Sequence, residues 1–200
     1  ATLAIAISRL VERDAREVLG SLPIHVVHDA IDTDAFSPGP GDGDWLDHIA
    51  GFPVSPVPVV RVGLIATYAR WKGQEVFIKA LARLPHRNFF AVLLGDDKGH
   101  ETYRQEIEKL IIDLGLSGHV RIANHTHYIT EAYMLSKLVV ATSVQPEAFG
   151  RVVLEAQAMG KPVITTNHGG PQETVIDKET GLLIEPNDVD ALSTAINEVL

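Results

Sequence analysis

The sequence predicts an α/β fold built on one doubly wound parallel sheet. Short apolar, β-branched runs alternate with longer amphipathic stretches along most of the chain, and such runs fit strands covered on both faces. The 200 residues, 46% of them hydrophobic, can bury a sizeable core. No apolar run reaches the length that spans a bilayer.

Residues 1–7 supply an apolar strand, 9–19 a helix and 24–28 a further strand, too little to stand as a domain. Residues 37–58, dense in Pro and Gly, read as a linker or surface insertion. Within them Asp42-Gly43-Asp44-Trp45-Leu46-Asp47 lacks the spacing of a calcium-binding loop, and a solvated loop is expected. Parallel strands are then expected at 59–65, 89–94, 119–123, 138–142, 162–166 and 182–184. Amphipathic helices fill the gaps: 74–84, with Val76, Phe77, Ala80, Leu81 and Leu84 on one stripe, and 101–114, with Ile107, Leu110, Ile111 and Leu114. Weaker helical patterns cover 129–137, 150–159, 171–176 and 188–200. Alternation of this kind forms right-handed βαβ units, whose ligands bind beyond the carboxyl ends of the strands.

A formal charge of −9 argues against nucleic acid as the main partner, although a nucleotide needs only a local positive spot. With no Cys there is neither a disulfide framework nor a thiolate metal site. His125 and His127 lack a third ligand close by, so metal binding is not expected. Residues 1–7 are too short for an anchor and have no basic flank, which makes a cytoplasmic location the expectation. Signatures of dinucleotide folds, phosphate loops, nucleophile elbows and zinc proteases are missing from the sequence.

The densest chemistry lies in Gln145-Pro146-Glu147-Ala148-Phe149-Gly150-Arg151-Val152-Val153-Leu154-Glu155, where a strand leads through a polar loop into a helix beginning near Gly150. The first turn of a helix leaves amides unpaired at the positive end of its dipole. The backbone of Phe149, Gly150, Arg151 and Val152 can therefore receive a phosphate. Glu147 sits at the mouth of that site, and Glu155 lies about a turn and a half further in, within reach of a ribose. Taken singly, each carboxylate has a plainer reading. Glu155 follows Arg151 at the spacing of a weak surface ion pair, and Glu147 beside Pro146 suits a solvated loop. The whole string is more specific: Glu-x7-Glu followed by Ala-x-x-x-Gly-Lys-Pro-Val resembles glycosyltransferase family 4, the retaining nucleotide-sugar enzymes of the GT-B fold.

The resemblance covers nearly all of the chain. Ile7-Ser8, a helix, and then Val26-Val27-His28-Asp29-Ala30-Ile31-Asp32-Thr33-Asp34-Ala35-Phe36-Ser37-Pro38 look like the family's crossing from its N-terminal to its C-terminal domain. This implies that residues 1–58 are crossing segment and linker, that 59–200 form the Rossmann-like donor-binding domain, and that the N-terminal acceptor domain is absent. A second motif, Gly63-Leu64-Ile65-Ala66-Thr67-Tyr68-Ala69-Arg70-Trp71-Lys72-Gly73-Gln74, follows a strand and opens a helix. Breaking a sugar–diphosphate bond puts charge on the departing phosphate. Lys72, at a glycine-punctuated helix start, is the candidate to neutralise it, although an isolated Lys-Gly is more often a surface turn. The family carries an Arg five residues before this Lys, where Thr67 stands here, and Arg70 of the same loop is the alternative cation.

Gly169 and Gly170, in Asn167-His168-Gly169-Gly170-Pro171-Gln172-Glu173, fit either a tight turn or close approach of amides to a ligand. By resemblance they lie near the donor, while Glu173 is expected to serve a helix start. Gly95-Asp96-Asp97 ends a strand and borders the expected nucleotide pocket, and the resemblance places His127 and Tyr128 beside the nucleobase. For the intact enzyme the resemblance implies transfer of a hexosyl group from a UDP-, GDP- or ADP-sugar to an acceptor hydroxyl held by the absent domain. It implies neither metal nor cofactor, and it is compatible with peripheral membrane association. Lys72 and the Gly150 helix start would hold the diphosphate, Glu155 the ribose and Glu147 the sugar. These 200 residues alone are expected to bind donor without transferring sugar. The alternatives are a sugar-nucleotide epimerase of the same fold and a nucleotide-binding module without turnover.

Overall fold

The computed structural model describes residues 3–41, 45–52 and 59–200. In chain order the elements are β1 (Ala4–Ala6), α1 (Arg9–Leu19), β2 (Ile24–Val26), α2 (Trp45–Ala50), β3 (Val60–Ile65), α3 (Gln74–Ala82), β4 (Phe89–Gly95), α4 (Glu101–Asp113), β5 (Val120–Asn124), α5 (Ile129–Leu135), β6 (Leu138–Ala141), α6 (Arg151–Ala158), β7 (Val163–Thr166), α7 (Pro171–Thr174), β8 (Leu182–Ile184) and α8 (Val189–Val199). The expected strands of the sheet and the helices between them end within a residue or two of these limits.

Strands β3 to β8 form one all-parallel sheet in the order β5-β4-β3-β6-β7-β8. β4 illustrates why the apolar runs become strands. Phe89, Ala91 and Leu93 join the core beneath α3, α4 and α8, while Phe90, Val92 and Leu94 join the opposite layer with α2 and α5. Its period of two is satisfied on both faces. α6 packs beside α5 on that second face through Val153, Ala156 and Met159.

The expectation of a solvated loop is overturned at Trp45–Asp47, which begin α2. Leu46 and Ala50, one helical turn apart, are buried in the cluster with Phe90 and Val92. Phe52 stacks on Phe90 with ring centroids 4.0 Å apart, and Asp47 accepts two hydrogen bonds from Arg61 at 2.9 and 2.6 Å. The sheet face needs an apolar cover, and this short helix supplies part of it. Asp42, Gly43 and Asp44 lie outside the described residues.

β1 and β2 pair in parallel as a separate two-stranded sheet. α1 starts at Ser8, whose Oγ accepts from the Val11 amide at 3.1 Å. A second acceptor comes from far along the chain: the Glu173 carboxylate takes the amides of Arg9 and Leu10 and lies 2.9 Å from His28 Nε2. Glu173 sits in α7, yet the helix start it caps is that of α1, because a carboxylate is favoured at the positive end of whichever helix faces it.

The sheet order creates one special place. From β3 the chain winds outward to β4 and β5, and from β6 it winds the other way to β7 and β8. Adjacent β3 and β6 therefore form the switch point, where the crossovers diverge and leave a crevice at the carboxyl ends.

Candidate active site

That crevice is lined by Ala66, Lys72, Thr142, Ser143, Glu147 and Val152, among others. Two loops are stitched together across it. Thr142 Oγ1 lies 3.0 Å from the Lys72 carbonyl oxygen and 2.9 Å from that of Gly73, and the Val144 amide donates to the Trp71 carbonyl at 2.7 Å. Gly73 has φ 70° and sits so close that a Cβ there would lie 2.0 Å from the Thr142 oxygen.

The stitching sets Lys72 opposite Glu147, with Nζ 2.8 Å from Oε1 and each side chain 15% exposed. The Ser143 hydroxyl donates to the same carboxylate oxygen, and the ammonium lies 4.1 Å from the Trp71 ring centroid. In this arrangement each half-buried charge compensates the other. An arriving phosphate can take over the lysine while Ser143 keeps its bond to the carboxylate. Thr142 and Ser143 were not singled out from the sequence; the signal available was two hydroxyls directly after a buried apolar strand.

α6 begins beside this pair. Its N-cap is Gly150 at φ 85°, with no side-chain cap and no acidic residue in the first turn. Among the described residues, the amides of Arg151 and Val152 have no hydrogen-bond acceptor. They are therefore open to an anion. The Phe149 ring is buried and stacked on His28 at 5.8 Å, so Phe149 offers only its backbone. Arg151 reaches Asp29 at 3.3 Å and Glu155 at 3.7 Å, the weak pair expected from its spacing. Glu155, 14% exposed, accepts a 2.7 Å hydrogen bond from the Tyr133 hydroxyl. Burial raises the pKa of that tyrosine, and the adjacent Glu155 charge raises it further.

Gly169 and Gly170 lie against the Glu147 loop. The Gly170 amide donates to the Glu147 carbonyl at 2.8 Å, and a Cβ on Gly169 or Gly170 would come within 2.6 Å of Glu147 O or 2.2 Å of Phe149 Cα respectively. Their glycines are demanded by this backbone contact, which helps hold Glu147 in place.

Other candidates are not brought together with the pair. Arg70 turns toward α4, 2.6 Å from Glu106 and 5.1 Å from the Tyr103 ring centroid. Its partners are thus on α4, and among the described residues no contact joins it to Lys72 or Glu147. Thr67 is exposed, and its carbonyl accepts from Gln74 Nε2 at 2.9 Å. His127 and Tyr128 are exposed beyond β5, on the same carboxyl edge but two strands from β3. Tyr128 meets Trp45 of α2 edge-on at 6.2 Å, and the His127 ring lies edge-on to His125 at 5.5 Å. Asp97, beyond β4, is bound by Arg104 at 2.7 Å. Among the described residues no group of three His, Asp or Glu side chains gathers as a metal site would require.

The family model for glycosyl transferases group 1 matches residues 60–200. The chain belongs to this family. It is 30% identical over 182 residues to a GDP-mannose-dependent alpha-(1-6)-phosphatidylinositol monomannoside mannosyltransferase of Mycolicibacterium smegmatis, an alignment covering 85% of this chain and 45% of the relative. A glycosyltransferase from Rickettsia africae superposes with a TM-score of 0.90 at 30% identity, over 99% of this chain and 53% of the other. Anabaena HepE, solved in complex with UDP-glucose, gives 0.87 at 31% identity over 99% and 54%. The resemblance to glycosyltransferase family 4 is thus borne out, as is the Rossmann-like fold of a GT-B C-terminal half. The chain spans about half the length of the relatives it matches.

Proposed function

We propose that this chain is the donor-binding half of a retaining glycosyltransferase, which moves a hexosyl group from a nucleoside-diphosphate sugar to an acceptor hydroxyl. The Lys72–Glu147 pair, set at the switch-point crevice beside the uncapped start of α6, carries the reading. In the reaction the bond from the anomeric carbon to the diphosphate breaks, a bond to the acceptor oxygen forms, and the acceptor hydroxyl's proton passes to the departing diphosphate. Negative charge then grows on the departing phosphate. Lys72 and the amides of Arg151 and Val152 offset it in the proposed site, with no metal required. Glu147, released from Lys72, accepts hydroxyls of the donor sugar near the reacting carbon, and Glu155 accepts from the ribose.

A mannosyltransferase relative whose name specifies GDP-mannose and a structural neighbour holding UDP-glucose support a hexosyl donor. The acceptor site is assigned to the part of the relatives' length that this chain does not span. A cytoplasmic location is part of the proposal; among the described residues no helix is long and apolar enough to cross a membrane.

Calorimetric titration with UDP, GDP and ADP tests the reading. At least one should bind, and Glu155→Ala should weaken it by about 1–3 kcal/mol, the loss expected for hydrogen bonds to a charged group. Equal affinity of mutant and wild type removes Glu155 from the site, and no binding of any of the three overturns the proposal.

A further inference from the structure

We infer that Tyr133 is a positioning residue that makes the site selective for ribonucleotides, by holding the Glu155 carboxylate in the orientation that receives the ribose hydroxyls. The inference rests on the reading that Glu155 binds ribose. Tyr133 lies on α5 and is fully buried, in a cluster with Val139, Val153 and Ala156. Its ring meets Phe36 edge-on at 6.0 Å. Packed in this way the ring has little freedom, and its hydroxyl donates to Glu155 Oε2 at 2.7 Å.

Without that bond the largely buried Glu155 carboxylate would keep only its weak pairing with Arg151 to orient it, and fixing its rotamer on binding would cost ligand affinity. The tyrosine does the ordering before the ligand arrives. It also leaves acceptor capacity behind. A carboxylate has about four lone-pair sites and Tyr133 takes one. Oε1 lies 3.7 Å from Arg151 Nε, beyond hydrogen-bond range, so a ribose hydroxyl can claim it. The neighbourhood is continuous with the crevice: Ile65 lines the crevice and packs on the Tyr133 cluster. A deoxyribose placed there would leave the fixed carboxylate without its donor, which is how a preorganised polar group rejects an analogue lacking a hydroxyl.

The experiment compares, on the full 200-residue chain, the best-binding of UDP, GDP and ADP with its 2′,3′-dideoxy analogue. Wild type should prefer the ribose form by about tenfold or more, the value of one good hydrogen bond to a charged group. Tyr133→Phe keeps the ring and removes only the hydroxyl. It should weaken the ribose form by about fivefold or more and the dideoxy form by less than about twofold, collapsing the preference. A role confined to packing would leave the ratio untouched. If wild type itself does not discriminate, the assignment of Glu155 to ribose is what fails. If wild type discriminates and Tyr133→Phe discriminates equally, the positioning role is overturned. Should Tyr133→Phe not fold, Phe36→Leu, which frees the ring to tilt but keeps the hydroxyl, should lower the same ratio by about twofold or more; an unchanged ratio overturns the inference as well.

Discussion

Replacing Gly73 by Ala tests how much the close apposition of the two loops that carry Lys72 and Glu147 contributes to stability. Gly73 has φ 70°, a conformation that costs an L residue roughly 1–2 kcal/mol. A Cβ there would also sit 2.0 Å from Thr142 O and 3.2 Å from Thr142 Oγ1, so the loops must part by about 1.5 Å or more to reach ordinary contact. That movement breaks the Thr142 hydroxyl bond, now 3.0 and 2.9 Å from its two carbonyls, and strains the 2.7 Å bond from Val144 to Trp71. At about 1 kcal/mol for each bond lost, the total is roughly 3–4 kcal/mol. For a chain of this length each kcal/mol lowers Tm by about 2–4 °C, so a fall of roughly 6–16 °C is expected. Gly99→Ala is the control: Gly99 has φ 78° but nothing within 4 Å of an added Cβ, which leaves only the conformational cost. Its Tm should fall by no more than about half as much. Thermal unfolding followed by circular dichroism, with the variants side by side, reads the difference. Equal losses at the two positions would refute the reasoning, because the contact with Thr142 would then contribute nothing.

Two further predictions concern charge. Thr67→Arg should tighten UDP or GDP binding more than binding of the bare nucleoside, since the added cation serves only phosphate; matching gains contradict it. Arg70→Ala should change nucleotide affinity by less than about twofold, because Arg70 is engaged with Glu106, and a tenfold loss would return it to the site. Glu173 carries a pH signature. Burial pushes its pKa up, but hydrogen bonds from the Arg9 and Leu10 amides and His28 outweigh this and hold it below the ordinary 4.5. A carboxyl with a lowered folded pKa stabilises the fold above its unfolded value, and that stabilisation is lost as pH falls through the folded one. Glu173→Gln should therefore lower the urea midpoint at pH 7, with the gap narrowing as pH falls below 4.5. A gap of constant size at both pH values would show that the charge is irrelevant.

Strand and helix positions were legible in the sequence because both-face burial and helical periodicity are written into neighbouring residues. The run 89–94 needs no knowledge of its partners to read as a covered strand. Lys72, Glu147 and Glu155 could be singled out as candidates too, since the motifs that carry them, two loops and the first turns of α6, are short segments of fixed spacing after strands. α2 was not: six residues in a Pro- and Gly-rich stretch show almost no period, and Leu46 and Ala50 gain their meaning only from the face of β4 they cover. Side-chain destinations escaped for a related reason. The direction of Arg70 is not written in its own loop, and its partner Glu106 lies on α4, 36 residues further along the chain. Nothing in the neighbouring sequence marks Tyr133 of α5, which gains its role only where α6 brings Glu155 to its hydroxyl. Glu173 found the start of α1 across 164 residues of chain. Periodicity and caps depend on residues a few positions apart, whereas a hydrogen bond or ion pair depends on which groups the sheet order sets side by side.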